Sequence, residues 1–215
     1  MDKASEKRKV PETIKKILEL DAVITKRFVA WGNSLLPLRT LRTHYKGLEI
    51  SCHGVPWFAF WIAFTWLFNN PHLVEMQVNI LLGLFLDIVF IAVAKAYFRR
   101  KRPIANTDDA LGQLGPDIFS FPSGHASRSV FIAYFFTRLY PLPTICFPPI
   151  IAWTTAICLS RILMNRHYIL DVVGGCVLGV FDCLILELLW VDESTAKSLM
   201  SIVSDEKLDG GEYHV

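Results

Sequence analysis

The opening stretch, MDKASEKRKVPE, lacks the apolar core of a secretory signal, and its acidic residues argue against a transit peptide, so neither is expected here. Cysteine is sparse and poorly arranged for chemistry. The five residues (Cys52, Cys146, Cys158, Cys176 and Cys183) are odd in number, and none has metal-ligand spacing. Four of them sit inside apolar sequence, where small buried hydrophobes are the role that fits, and no disulfide framework is implied. There is no internal repeat, no low-complexity tract and no second domain. Charge is also scarce, at 20% of residues, and it is nearly absent from long stretches of the chain.

What fills those stretches is apolar. Hydrophobic residues make up 53% of the chain and the mean hydropathy is +0.38, high for a soluble domain. They fall in blocks, at 55–68, 73–98, 126–141, 143–164 and 168–190. Several blocks approach the ~20 residues of a spanning helix, although the first is short. Their length favours helix over strand. Only helices or closed barrels satisfy the backbone in lipid, so the expected fold is all-α, a polytopic membrane helix bundle of about five spans.

Residues 12–35 place Ile14, Ile17, Leu18, Ile24, Phe28, Trp31 and Leu35 at near-helical spacing, with Lys15, Lys16, Lys26 and Arg27 between them. Two readings fit, an amphipathic helix lying in the membrane interface or a helix packed on the protein's own surface. The chain divides into a basic, amphipathic interfacial segment at 1–49, a transmembrane domain at 50–191 and an acidic polar tail at 192–215, expected to be loose.

Charge inside apolar blocks is costly and marks function. Three clusters stand out. In KAYFRRKRP, six residues separate Lys95 from Arg102 and Pro103. In SFPSGHAS lie Pro122, Ser123, Gly124 and His125. In LSRILMNRHYILD, Ser160 and Arg161 precede His167 by five residues, and Asp171 follows after three more. Lys95, Arg102 and Arg161 are cations able to surround a phosphate, the arginines in bidentate fashion. Ser123 and Gly124 stand just before an apolar helix, whose free N–H groups suit an anion. His167 and Asp171, four apart, share a face on a helix, so the carboxylate can hold the imidazole's tautomer. His125 supplies a second imidazole. One histidine to attack and one to protonate the leaving group suffice to hydrolyse a phosphate ester without metal. The clusters end the second block, begin the third and join the fourth to the fifth. Alternating helices bring all three to one face.

Together these motifs resemble the signature of the type 2 phosphatidic acid phosphatase family: K-x6-R-P, P-S-G-H and S-R-x5-H-x3-D, in order and complete. The run from SCHGVPWF to FPSGHASR is similar to the polyisoprenoid diphosphate phosphatase branch, known for presqualene diphosphate. The resemblance covers roughly residues 48–190. It implies a membrane lipid phosphatase that works without a metal or other cofactor. In that reading His167 is the nucleophile through a phosphohistidine, Asp171 orients it and His125 is the general acid. Lys95, Arg102, Ser123, Gly124 and Arg161 hold the phosphate. The implied partners are a lipid (di)phosphate and the bilayer, with no nucleic acid, and the implied location is the endoplasmic reticulum or nuclear envelope.

Other readings stay open: a broad phosphatidate or sphingoid-phosphate phosphatase, or a non-catalytic polytopic lipid-binding protein or transporter. Vanadate-dependent haloperoxidases share the signature but are mainly soluble. Arg99, Arg100 and Lys101 read either as a topological anchor or, with Arg102, as collectors of a diphosphate's second phosphate. Asp87 and Asp182 fall in apolar blocks and call for interhelical partners, and Gly175-x-x-x-Gly179 calls for close helix packing. Residues 1–49 hold 11 Lys+Arg against 6 Asp+Glu, whereas the tail from Asp192 holds 2 Lys against 6 acids. The positive-inside rule then places the N-terminus and all three motifs on the cytosolic face and the tail opposite.

Overall fold

Long apolar runs cannot leave backbone groups unpaired in lipid, and in this chain they coil into helices. The computed structural model describes residues 11–35, 44–68, 70–104 and 118–203. Among these residues all regular structure is helical, as expected. The order is α1 (Glu12–Ser34), α2 (Tyr45–Ser51), α3 (Gly54–Leu67), α4 (Val74–Phe98), α5 (Gly124–Tyr134), α6 (Phe147–Leu163), α7 (Ile169–Leu188) and α8 (Glu193–Val203).

The five apolar blocks do not make five equal spans. Among the described residues, α4, the stretch Thr144–Leu163 that contains α6, and α7 are each long and apolar enough to cross a membrane. Helices α2 and α3 qualify only as a pair bent by 49°. Helix α5 has 11 residues and continues as a π-helical turn, Phe135–Leu139. It is packed among α4, α6 and α7. A helix enclosed by protein need not be apolar all round, and Ser127, Arg128 and Ser129 are buried on it.

Its closest partner is α7, and glycine makes that approach possible. A Cβ on Gly175 would run into the Ser123 carbonyl, and one on Gly179 into the Ser127 carbonyl. The close packing expected of this G-x-x-x-G is present. An apolar core that includes Trp61, Ile80, Leu84, Phe131, Phe135 and Leu186 fills one end of the bundle. At mid-height Asp87 binds α4 to α5, its Oδ1 accepting from the Ser127 hydroxyl at 2.7 Å and its Oδ2 lying 2.8 Å from Arg128. Asp182 is also buried, but its carboxylate has no hydrogen-bond partner among the described residues.

Within residues 12–35 the helix packs on the protein's own surface. Helix α1 packs on α6 and α7, burying Asp21, Thr25, Val29 and Gly32. Its apolar stripe of Ile17, Leu20, Ile24 and Trp31 stays exposed. The tail departs from expectation. Residues 193–203 form α8, which packs on α4 with Ala196 fully buried. The chain is tied down just before it, since Asn79 donates to the Val191 carbonyl at 2.7 Å and Trp190 to Glu75 at 2.7 Å. The start of the chain (1–10), residues 36–43 and the end of the tail (204–215) lie outside the described residues.

Candidate active site

The C-terminal end of α4, the N-terminal end of α5 and the turn between α6 and α7 meet at the other end of the bundle. There Lys95, Arg102, Gly124, His125, Arg161 and His167 line one small polar pocket, with Glu49 and His53 completing it. Six of the eight residues singled out from the sequence thus converge. Ser123 and Asp171 do not line the pocket.

Each histidine is held by a backbone carbonyl. Nδ1 of His167 lies 2.8 Å from the Ser120 carbonyl oxygen. A carbonyl only accepts, so Nδ1 carries the proton and Nε2 keeps a lone pair. Ser120 is itself fully buried and fixed: its N–H donates to the Arg100 carbonyl at 2.8 Å, and its hydroxyl reaches the Arg100 and Lys101 carbonyls. Nε2 of His125 lies 3.2 Å from the Glu49 carbonyl, so Nε2 carries a proton there and Nδ1 keeps a lone pair in the neutral ring. Burial drives the His167 imidazole down from its ordinary range to about 4. Asp171 opposes that shift, while Arg102 and Lys95 reinforce it.

Asp171 serves the turn more than the imidazole. Its Oδ2 accepts the Tyr168 N–H at 2.8 Å, capping α7, and stands 3.8 Å from His167 Nδ1. Its Oδ1 takes a 2.7 Å ion pair from Arg100, whose other terminal nitrogen reaches Asp21 at the same distance. The Arg100 guanidinium also lies 4.1 Å over the Tyr168 ring. Ser123 is likewise occupied, its N–H donating to the Asp171 carbonyl at 2.9 Å and its hydroxyl accepting from Ala126 N–H as the cap of α5. Of the Ser-Gly pair, only Gly124 faces the pocket.

The basic run Arg99–Arg102 is divided in the same way. Arg100 is committed to two carboxylates, and exposed Arg99 donates to the Ala96 carbonyl. Arg102 is the only member that lines the pocket. Arg161 is buried, with Glu49 3.7 Å away on α2. Sequence reasoning missed Glu49, His53, Ser120 and Asp21. A polar pair at the border of an apolar block, Glu49 and His53, was a usable signal. Ser120 acts through its carbonyl, which no side-chain pattern reveals.

The polar pocket opens into an apolar groove between α3 and α4, with a cavity volume of about 620 Å³. His53, Lys95, Gly124 and His125 belong to both. Val55, Phe58, Ala59 and Ile62 form one wall, and Ile88, Ile91 and Ala92 the other.

Residues 77–195 match the PAP2 superfamily. The chain is similar to a protein of Arabidopsis thaliana named "Probable lipid phosphate phosphatase beta", at 32% identity over 195 residues, which is 78% of this chain and 87% of that protein. It is also similar to the decaprenylphosphoryl-5-phosphoribose phosphatase of Mycobacterium tuberculosis, at 36% identity over 103 residues, 45% of this chain and 51% of that one. In fold it resembles the transmembrane PAP2-type phosphatidylglycerolphosphate phosphatase of Bacillus subtilis, with a TM-score of 0.58 at 21% identity, covering 81% of this chain and 86% of that one. Aquifex aeolicus LpxE gives a TM-score of 0.57 at 24% identity, covering 80% and 94%.

Proposed function

The chain belongs to the PAP2 superfamily as a membrane lipid phosphatase, and from that premise we propose that it hydrolyses a polyisoprenoid diphosphate through a phosphohistidine at His167. Neutral Nε2 attacks the terminal phosphorus, and the bond to the leaving oxygen breaks as His125, entering as the imidazolium, delivers its Nδ1 proton to it. Water then attacks the phosphohistidine with Nδ1 of His125 taking its proton, releasing phosphate and restoring neutral His167 and the His125 imidazolium. Lys95, Arg102 and Arg161 surround the phosphoryl oxygens, and the first turn of α5 at Gly124 offers backbone N–H groups to them. In this reading Ser123 and Asp171 hold the backbone around the site, and Asp171 acts on His167 at a distance of 3.8 Å.

The observation that carries the substrate is the groove. It leaves the phosphate pocket past His125, runs between two helices, and has apolar walls. From His53 to Ile62 it follows nine residues of α3, roughly 14 Å at helical rise. One such groove suits one hydrophobic tail, which favours an isoprenoid chain over the paired acyl chains of phosphatidate. The relative that acts on a decaprenylphosphoryl compound is in keeping with this. Purified protein, assayed in detergent with EDTA, is expected to release phosphate faster from farnesyl diphosphate than from dioleoyl phosphatidate. Faster turnover of phosphatidate overturns the substrate assignment. Acid quenching after exposure to labelled substrate is expected to trap an acid-labile, alkali-stable adduct that is absent from His167→Ala.

A further inference from the structure

Helix α1 lies outside the family match at 77–195, yet two of its side chains end on the turn that carries His167. Asp21 Oδ1 accepts the Leu170 N–H at 3.2 Å, and Thr25 Oγ1 accepts the Ile169 N–H at 3.1 Å. The first N–H groups of a helix have no partner within it. The opening of α7 is therefore capped from another helix, while Asp171 caps it from within at Tyr168. Asp21 Oδ2 also pairs with Arg100 at 2.7 Å, and Arg100 pairs with Asp171 at 2.7 Å. Asp21 and Thr25 are 5% and 2% exposed, so water does not replace these bonds when they are lost.

We propose that Asp21 is a positioning residue for the phosphatase reaction: through Arg100 and the start of α7 it fixes Asp171 and the His167 turn. The proposal rests on His167 being the nucleophile. Asp21 touches neither substrate nor the reacting atoms, and its contribution is geometric. Displacement of a reacting group by about 1 Å costs on the order of 10²-fold in rate. Breaking a buried ion pair also weakens the fold, so activity alone does not separate positioning from stability.

The full-length chain is compared in detergent as wild type, Asp21→Asn, Thr25→Val, Arg100→Gln and the Asp21→Asn/Arg100→Gln double variant, all well below their unfolding midpoints. Phosphate release from farnesyl diphosphate and from phosphatidate gives kcat and KM, and acid quenching gives the rate of phosphoenzyme formation. Asp21→Asn is expected to lower kcat and phosphoenzyme formation by roughly 10- to 10²-fold on both lipids, with KM little changed. Thr25→Val is milder, at roughly 3- to 10-fold, and remains informative if Asp21→Asn folds poorly. The double variant is expected to be no slower than the slower single one, because both act through one chain of contacts. Unchanged kcat in Asp21→Asn and Thr25→Val, or multiplicative losses in the double variant, overturns the positioning role. His167→Ala is run alongside. Turnover retained there overturns the nucleophile assignment itself, a different failure from one confined to α1.

Discussion

The Ser120 carbonyl oxygen lies 2.8 Å from Nδ1 of His167, whereas the nearest Asp171 oxygen stands at 3.8 Å. Four-residue spacing puts two side chains on one face only when both belong to the helix. His167 sits in the turn before Tyr168, and Asp171 turns back to cap the helix it enters. The tautomer is therefore held chiefly by a backbone group that side-chain mutation does not remove.

It follows that Asp171→Asn should be tolerated better than the matching change in a Ser-His-Asp triad, where the loss is about 10⁴-fold. The asparagine oxygen can still accept from Tyr168, while the ion pair to Arg100 is lost. A fall in kcat of roughly 10- to 10²-fold is expected. Phosphate-release kinetics check this, and inactivity equal to that of His167→Ala would return Asp171 to the orienting role.

The depressed His167 imidazole has a stability consequence. Its value is about 4 in the folded protein and about 6.5 when unfolded, so below pH 6.5 the unfolded chain binds the extra proton. The contribution is complete above pH 6.5 and is lost as pH falls toward 4, with an order of magnitude of about 3 kcal/mol. Thermal midpoints of wild type and His167→Gln are measured from pH 7 to 4 in detergent, and that of wild type should fall relative to the variant's between pH 6.5 and 4. Parallel curves would show that the imidazole is not held neutral.

His125 is tested by its leaving group. His125→Ala should slow an alkyl phosphate by roughly 10²- to 10⁴-fold, the usual scale of general acid catalysis. A phosphate ester of an acidic phenol should lose much less, since its leaving oxygen needs little protonation. Equal losses on both would remove His125 from that role.

Filling the groove should discriminate by tail. Ala59 and Ala92 line opposite walls, and Ala59→Phe places a ring between α3 and α4 about 9 Å along the helix from His53. Turnover of farnesyl diphosphate should fall by roughly tenfold or more as the pocket loses apolar contact. A short, water-soluble phosphate ester should be hydrolysed as before. Parallel losses on both substrates would mean that the tail lies elsewhere.

Sidedness follows from α7, which runs from Ile169, just after the turn that carries His167, to Leu188 near α8. A helix of that length that crosses a membrane puts the site and the C-terminus on opposite faces. In sealed microsomes a C-terminal tag should be protected from protease while a membrane-impermeant phosphate ester is hydrolysed, the orientation that the basic N-terminal segment implies. A tag digested while that ester is hydrolysed would show that α7 does not cross.

Much of this was legible in the linear chain. Blocks of apolar residues fix helical class, because lipid offers the backbone no other partner. Lys95, Arg102, His125, Arg161 and His167 betrayed themselves by carrying charge or imidazole where apolar sequence surrounds them. Gly175 and Gly179 announced a close seam by their spacing. The tertiary structure decided which polar groups reach the pocket and which are spent on holding it. Arg100 and Arg102 stand two residues apart in one basic run, yet one is locked between Asp21 and Asp171 and the other lines the pocket. Ser120 and Glu49 meet the imidazoles through carbonyl oxygens that every residue possesses, and Asp21 arrives from a helix about 150 positions before the turn it caps. Side-chain type and spacing report what a residue can do. Which partner it meets depends on directions and distances that exist only once the helices have packed.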